Sequence, residues 1–146
     1  HDELSSKGAH LLLETINKIE AGSINPIKQE NDSFTKAPKI KKTDCRIDWN
    51  KKSVEIHNLT RALSPSPGAF TFLEKKRMKI FSSRLETVGI NKKLSPGEIY
   101  YSNSNLHVGS GDGYIIIDEI QLEGKHKMNI NDFYPGHQHI HGMIFD

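Results

Sequence analysis

At 146 residues, the chain has room for one domain and an appendage. Hydrophobic residues at 35% and aromatics at 8% supply a modest core, while no run approaches the roughly 20 apolar residues of a membrane span and no signal-peptide pattern opens the chain. A lone Cys45 excludes an internal disulfide and a multi-cysteine zinc site, which points to a reducing, cytoplasmic setting.

Residues 1–22 carry the cleanest helical signal. Leu4, Ala9, Leu12, Leu13, Ile16 and Ile19 recur at helical spacing, and Gly22 stands where a C-cap glycine belongs. Residues 23–44 lose that periodicity, hold Pro26 and Pro38 and grow rich in lysine, so they read as a linker. Arg46-Ile47-Asp48-Trp49 reads as a short extended segment anchored by the only tryptophan. A helix follows, with Asn50 as the expected N-cap and Val54, Ile56, Leu59 and Leu63 as its apolar face. Ser64-Pro65-Ser66-Pro67-Gly68 ends it, because proline removes donors and glycine supplies the turn.

Beyond Gly68 the pattern is that of strands. Ala69 to Leu73 and Met78 to Glu86 flank Glu74-Lys75-Lys76-Arg77 as a hairpin, and Glu98 to Ser102, Leu106 to Val108 and Tyr114 to Ile120 follow. Gly109-Ser110-Gly111-Asp112-Gly113 lacks the Lys-Ser or Lys-Thr of a phosphate loop, and Asp112-Gly113 between apolar runs signals a hairpin turn. Asn129 to Tyr134 reads as one helical turn capped by Asn129. Short strands after one helix suggest a small barrel, with OB-like, SH3-like and sandwich arrangements left open by periodicity.

The histidines offer no catalytic order with serine, cysteine or aspartate. His57 and His107 sit beside apolar positions and read as buried, neutral side chains. His137, His139 and His141 alternate, so on a surface or terminal strand they would share one face; with few carboxylates nearby, no metal site is assigned.

Charge is unevenly distributed. Lys36 to Lys93 holds 15 Lys and Arg against 5 Asp and Glu, a local balance of +10 within a chain whose net charge is +2. Such a basic centre between acidic ends fits a polyanion-binding surface, since lysine and arginine release condensed counterions from phosphates. On charge alone, chance clustering on a solvated surface remains equally open.

Several pieces stand together in one order: Ala37-Pro38-Lys39-Ile40-Lys41-Lys42, Arg46-Ile47-Asp48-Trp49, the helix from Ser53 to Leu63, and Pro65-Ser66-Pro67-Gly68-Ala69-Phe70. Gly124-Lys125-His126-Lys127-Met128 and, upstream, Leu11-Leu12-Leu13-Glu14-Thr15 extend the series. In these the chain resembles the methionyl-tRNA formyltransferases, with one departure: Ser66 stands where the family turn usually carries tryptophan.

The resemblance implies a mainly β fold with helices, an OB-like small β-barrel over 45–146, preceded by a basic linker (23–44) and by the terminal helix of a catalytic domain (1–22). It also implies a fragment. The family's catalytic Asn, His and Asp belong to a Rossmann-like domain upstream of His1, so no catalytic residue is expected here and no folate should bind this portion. 10-Formyltetrahydrofolate would be the co-substrate of the parent enzyme, initiator methionyl-tRNA its partner, and the full-length enzyme a cytoplasmic monomer with no membrane association. The residues expected to hold tRNA are Lys39, Lys41, Lys42 and Arg46, continued by Arg61 and Lys79, with Lys125 and Lys127 at the far end. With no platform of alternating aromatics evident, contact through phosphates and shape is expected. Two other readings stand beside this one: the C-terminal part of a sugar-nucleotide N-formyltransferase, and a stand-alone RNA-binding barrel.

Overall fold

The computed structural model describes residues 2–30, 34–86 and 90–146. His1, where the first helix was expected to open, and part of the linker lie outside these. The chain divides into two compact units, residues 1–38 and 39–146. Each is described by itself.

In the first unit, α1 spans Asp2–Glu20. Its end is a Schellman arrangement: Gly22 takes φ +64° while its N–H reaches the Ile19 carbonyl, and the Ser23 N–H reaches that of Lys18, both at 3.0 Å. The apolar stripe is on the helix, and Leu4, Leu12, Leu13, Ile16 and Ile19 are all exposed.

The second unit is a mainly antiparallel sheet with one long helix. Lys42–Cys45 forms a single 3-10 turn, α2 spans Ser53–Leu63, and strands run β1 Ala69–Leu73, β2 Lys76–Arg84, β3 Ile99–Ser102, β4 Asn105–Gly109 and β5 Tyr114–Leu122. A short β6 (Met128–Asn129) pairs with β5, and α3 (Ile130–Phe133) follows, its Asn129 cap accepting the Asn131 N–H at 2.9 Å as the sequence leads one to expect. The strand order is β1-β2-β5-β4-β3.

The barrel expected from the sequence is not closed by its own strands, because β1 and β3 do not pair. The last five residues join them. Ile99 exchanges backbone hydrogen bonds with Gly142 and Met143 on one side, and Phe72 exchanges them with Asp146 on the other. This segment satisfies part of two sheet edges that would otherwise present unpaired N–H and C=O groups.

Two hairpins turn in two residues: Glu74-Lys75 and Asn103-Ser104, all four with positive φ, the backbone a twisted two-residue hairpin requires. The first is tighter than the four-residue connection expected, so Lys76 and Arg77 belong to β2. A register shift near Phe81 and Ser82 bends β2 against β5.

The core gathers Ile47, Trp49, Ile56, Leu63, Met78, Ile80, Leu106, Val108, Ile115, Ile117, Ile120 and Phe145. The helix face differs from expectation at one position. Val54 is exposed and Thr60 is fully buried, because Ile56, Thr60 and Leu63 follow the helical repeat and Val54 falls outside it; the Thr60 hydroxyl donates to the Ile56 carbonyl at 3.0 Å, so burial leaves no orphan.

The N-terminus of α2 also differs. Asn50 does not cap it; the Asn50 amide instead donates to the Asp48 carboxylate. The Ser53 N–H is met from afar by the Asp112 carboxylate at 2.7 Å, and the Lys52 N–H from the same helix by Glu55 at 3.2 Å. The bonds to Asp112 hold its carboxyl below the usual carboxylate range, the Ser53 backbone N–H first among them. The glycine-rich piece is the hairpin connection between β4 and β5 that the Asp112-Gly113 signal led one to expect, and the structure adds that its Asp112 caps α2.

Nor do the C-terminal histidines form a strand. They lie in and beside two 3-10 turns, Tyr134–Gly136 and Gln138–Ile140. His137 stacks on Phe133, His139 faces Glu74, and His141 accepts the Tyr101 N–H. No metal-binding group of side chains occurs among the described residues, and no described helix is long and apolar enough to cross a membrane.

Two stability tests follow from this packing. A Cβ on Gly111 would lie 2.1 Å from the Asn50 carbonyl oxygen, a backbone atom that cannot swing away, whereas one on Gly136 meets nothing within 4 Å. In urea melts Gly111→Ala is expected to cost about 3 kcal/mol and Gly136→Ala to stay within about 0.5 kcal/mol.

Buried His107 has its imidazole pKa lowered by desolvation, opposed by its contact with the Tyr100 carbonyl. The fold favours the neutral ring. Its contribution is therefore present above the unfolded value of about 6.5 and is lost as pH falls from there through the folded value. Melting temperature against pH is expected to decline on that acid side, and His107→Gln to flatten the decline; an equally steep curve in the variant would assign it to other groups.

Candidate nucleic-acid interface

The basic residues become a site through the way Arg46 to Trp49 meets β1. The Ile47 N–H donates to the Phe70 carbonyl at 2.8 Å, and Arg46 bridges to Phe70 in parallel. The buried Trp49 indole donates to the Thr71 hydroxyl at 3.0 Å, that hydroxyl donates to the Asp146 carbonyl at 2.8 Å, and the Trp49 ring stacks on Phe145.

Immediately before this anchor, Lys41 is held at both ends of its peptide unit. Its N–H donates to the Asp44 carboxylate at 2.8 Å, and its carbonyl accepts from the Asp44 N–H at 3.0 Å and the Cys45 thiol at 3.4 Å. Lys41 and Lys42 therefore project from an ordered turn, within the compact unit that begins at Lys39.

Opposite that turn lies one face of the β1–β2 hairpin. Cross-strand register pairs Phe70 with Lys79 and Phe72 with Arg77, which puts these four on one face. The Lys79 stem passes over Gly68, whose φ of +85° turns the chain into β1; a Cβ at Gly68 would sit 3.1 Å from the Lys79 Cδ. Lys41, Lys42, Arg77 and Lys79 together line a cleft of about 300 Å³, with Ile40, Cys45 and Phe70 as its apolar wall and no acidic side chain.

Of the residues expected from the sequence, Lys41, Lys42 and Lys79 meet here. Exposed Lys39 precedes them by two residues, and Arg46 stands next to the cleft with its guanidinium 5.5 Å from the Phe72 ring centroid. Arg61 does not join them; it lines a separate depression with Asn58 and Ala62. Lys125 and Lys127 lie on the β5–β6 connection, where Lys127 is tied to Glu119 at 2.8 Å and lies over Phe81.

Arg77 is the cleft residue that sequence reasoning missed. The sequence pattern puts it in the charged hairpin connection, and only the two-residue turn places it on a strand, with its guanidinium 6.0 Å from the Phe70 centroid. Strict alternation from Lys79 to Arg77, both basic, was the available signal.

The charges also differ in kind. Among the described residues, Arg84, Lys92 and Lys127 sit in ion pairs, whereas no ion pair involves Lys39, Lys41, Lys42, Arg46, Arg77 or Lys79. A surface with four adjacent uncompensated cations is electrostatically suited to a polyanion.

A family model described as "Formyl transferase, C-terminal domain" matches residues 39–138. The chain belongs to this family. Among curated relatives, the methionyl-tRNA formyltransferase of Syntrophus aciditrophicus is 37% identical over 99% of this chain and 46% of its own length. That of Bacillus velezensis is 41% identical over 93% and 43%, and that of Geotalea uraniireducens 39% over 99% and 45%. The chain thus spans less than half the length of these relatives, matching their C-terminal part. Among solved structures, a variant of HypX from Aquifex aeolicus has a TM-score of 0.62 at 21% identity, over 86% of this chain and 22% of that one. HypX in complex with tetrahydrofolic acid gives 0.60, over 84% and 22%. At such identity the likeness shows the fold alone.

Proposed function

We propose that this chain is the C-terminal, tRNA-binding portion of a methionyl-tRNA formyltransferase, acting in translation initiation in the cytoplasm. The observation that carries the reading is the cleft on which Lys41, Lys42, Arg77 and Lys79 converge without a carboxylate. The relatives' names favour this reading over a sugar-nucleotide N-formyltransferase and over a stand-alone RNA-binding barrel. The domain division follows: 1–22 as the terminal helix of the catalytic domain, 23–44 as linker and 45–146 as the OB-like domain.

In the parent enzyme, a monomer by this reading, the amino group of methionyl-initiator tRNA attacks the formyl carbon of 10-formyltetrahydrofolate, the bond from that carbon to the folate nitrogen breaks, and tetrahydrofolate leaves with a proton as the amine loses one. Residues of the upstream domain stabilise the oxyanion and move protons. This portion holds the tRNA body. Orientation of the aminoacyl end by such holding is worth several kcal/mol of barrier in general. The basic residues assigned to RNA are Lys39, Lys41, Lys42, Arg46 and Lys79, with Arg61, Lys125 and Lys127 as outlying contacts. The chain alone is expected to give no turnover in a radiolabelled formyl-transfer assay.

Titration of the 146-residue chain with tRNA at increasing salt tests the binding. Affinity is expected to fall steeply, and the Lys41→Ala, Lys42→Ala double variant to bind more weakly with a salt slope lower by about two. Its melting temperature is expected to hold, since solvated lysines contribute within about 0.5 kcal/mol. Normal binding combined with early melting would make these lysines structural and move the RNA track elsewhere.

A further inference from the structure

The rings of Phe70, in the cleft wall, and Phe72, two residues along β1, carry an arrangement that charge alone does not require. Phe70 and Phe72 alternate along β1 and meet edge to face, with centroids 5.7 Å apart. Each lies under a guanidinium: Arg77, opposite Phe72 in register, reaches diagonally to Phe70, and Arg46, bridged through its backbone to Phe70, reaches to Phe72. The contacts therefore cross, and the two arginines are supported by one pair of rings.

A guanidinium over a ring face is attracted by the ring quadrupole and gives up side-chain freedom before any ligand arrives. Its donors form a rigid planar fork that matches phosphate oxygens in pairs, which an ammonium does not. Neither arginine is in an ion pair with a described carboxylate, in contrast to Arg84, which is engaged by Asp118, Glu86 and Asn105. Arg46 and Arg77 are thus restrained by rings and outside any ion pair with a described carboxylate, Arg46 sharing a depression with Asp48 and Glu55 without pairing to either.

We propose that Arg46 and Arg77, held over Phe72 and Phe70, are two preorganised clamps for phosphodiester groups of an RNA backbone, and that both phenylalanines are positioning residues. The proposal rests on the RNA-binding reading above and divides the work between the cleft residues and Arg46 beside them. Lys41, Lys42 and Lys79 supply point charge, whereas the two arginines supply geometry, so substitutions that keep every charge separate the roles.

The test is titration of the full 146-residue chain with tRNA, in fluorescence, across a salt series. Arg77→Lys is expected to weaken binding about three- to fivefold, and Arg46→Lys with Arg77→Lys about tenfold, in line with partly exposed cation–π support. Arg84→Lys, the same charge-keeping change at an arginine held by Asp118 and Glu86 and outside the cleft lining, is expected to bind within about twofold of the parent chain. Phe72→Leu removes one ring from a half-buried position without removing a charge, and is expected to weaken binding about threefold with both arginines in place. Thermal melts identify any loss that comes from unfolding, and the arginine-to-lysine variants, altered only at surface ends, supply the comparison if Phe72→Leu melts early. Equal binding by the parent chain and the doubly lysine-substituted chain would overturn the clamps while leaving the RNA reading intact. Binding by the parent chain that is absent or insensitive to salt would overturn the RNA reading and the clamps together.

Discussion

The docking of Arg46 to Trp49 onto β1 is the constraint on which the rest depends. One backbone bond, from Ile47 to the Phe70 carbonyl, fixes the chain that enters the sheet. A relay from the buried Trp49 indole through the buried Thr71 hydroxyl to the Asp146 carbonyl then ties that entry to β1 and to Asp146. Because the Trp49–Thr71 bond is buried, losing the Thr71 hydroxyl would leave the indole N–H without water or partner. Everything basic that precedes it, from Lys39 to Arg46, takes its place from this anchor.

From the anchor, two independent pieces of backbone chemistry assemble the cleft. On one side the reciprocal bonds between Lys41 and Asp44 close a single turn and aim two lysines. On the other, the positive-φ pair Glu74-Lys75 sets the register that aligns Arg77 and Lys79 with the rings of β1. The acids nearest by sequence are occupied elsewhere: Asp44 by the Lys41 backbone N–H, Asp48 by Asn50, and Glu74 by His139. These acids keep their charge, but none of them lines the cleft where Lys41, Lys42, Arg77 and Lys79 meet.

The C-terminal residues serve the sheet in a comparable way. Gly142 to Asp146 reaches from β3 to β1 and meets both edges, and Phe145 lies against Trp49. A sheet of five short strands would otherwise end in two open ladders. Asp112 extends the same economy of connection to α2, where a carboxylate from the β4–β5 loop replaces the local cap that Asn50 was expected to give.

The sequence by itself determined the order of elements and their kinds. Helical spacing with a glycine stop marks α1, proline and glycine mark the entry to β1, and Asn129 caps α3, because these signals act within a few residues through backbone geometry. The family was legible for the same reason, since its motifs are local strings. What only the tertiary structure decided depends on contacts distant along the chain. Val54 leaves the buried face of α2 by the helical repeat, but that the face holding Thr60 is the covered one was decided by the packing of α2 on β2. The alternating histidines became turns because Phe133, Glu74 and the Tyr101 backbone took up their rings. Above all, Arg77 joined Lys41, Lys42 and Lys79 while Arg61 faced elsewhere, because which cations share a surface is set by strand register and docking, and a count of charges along a chain contains neither.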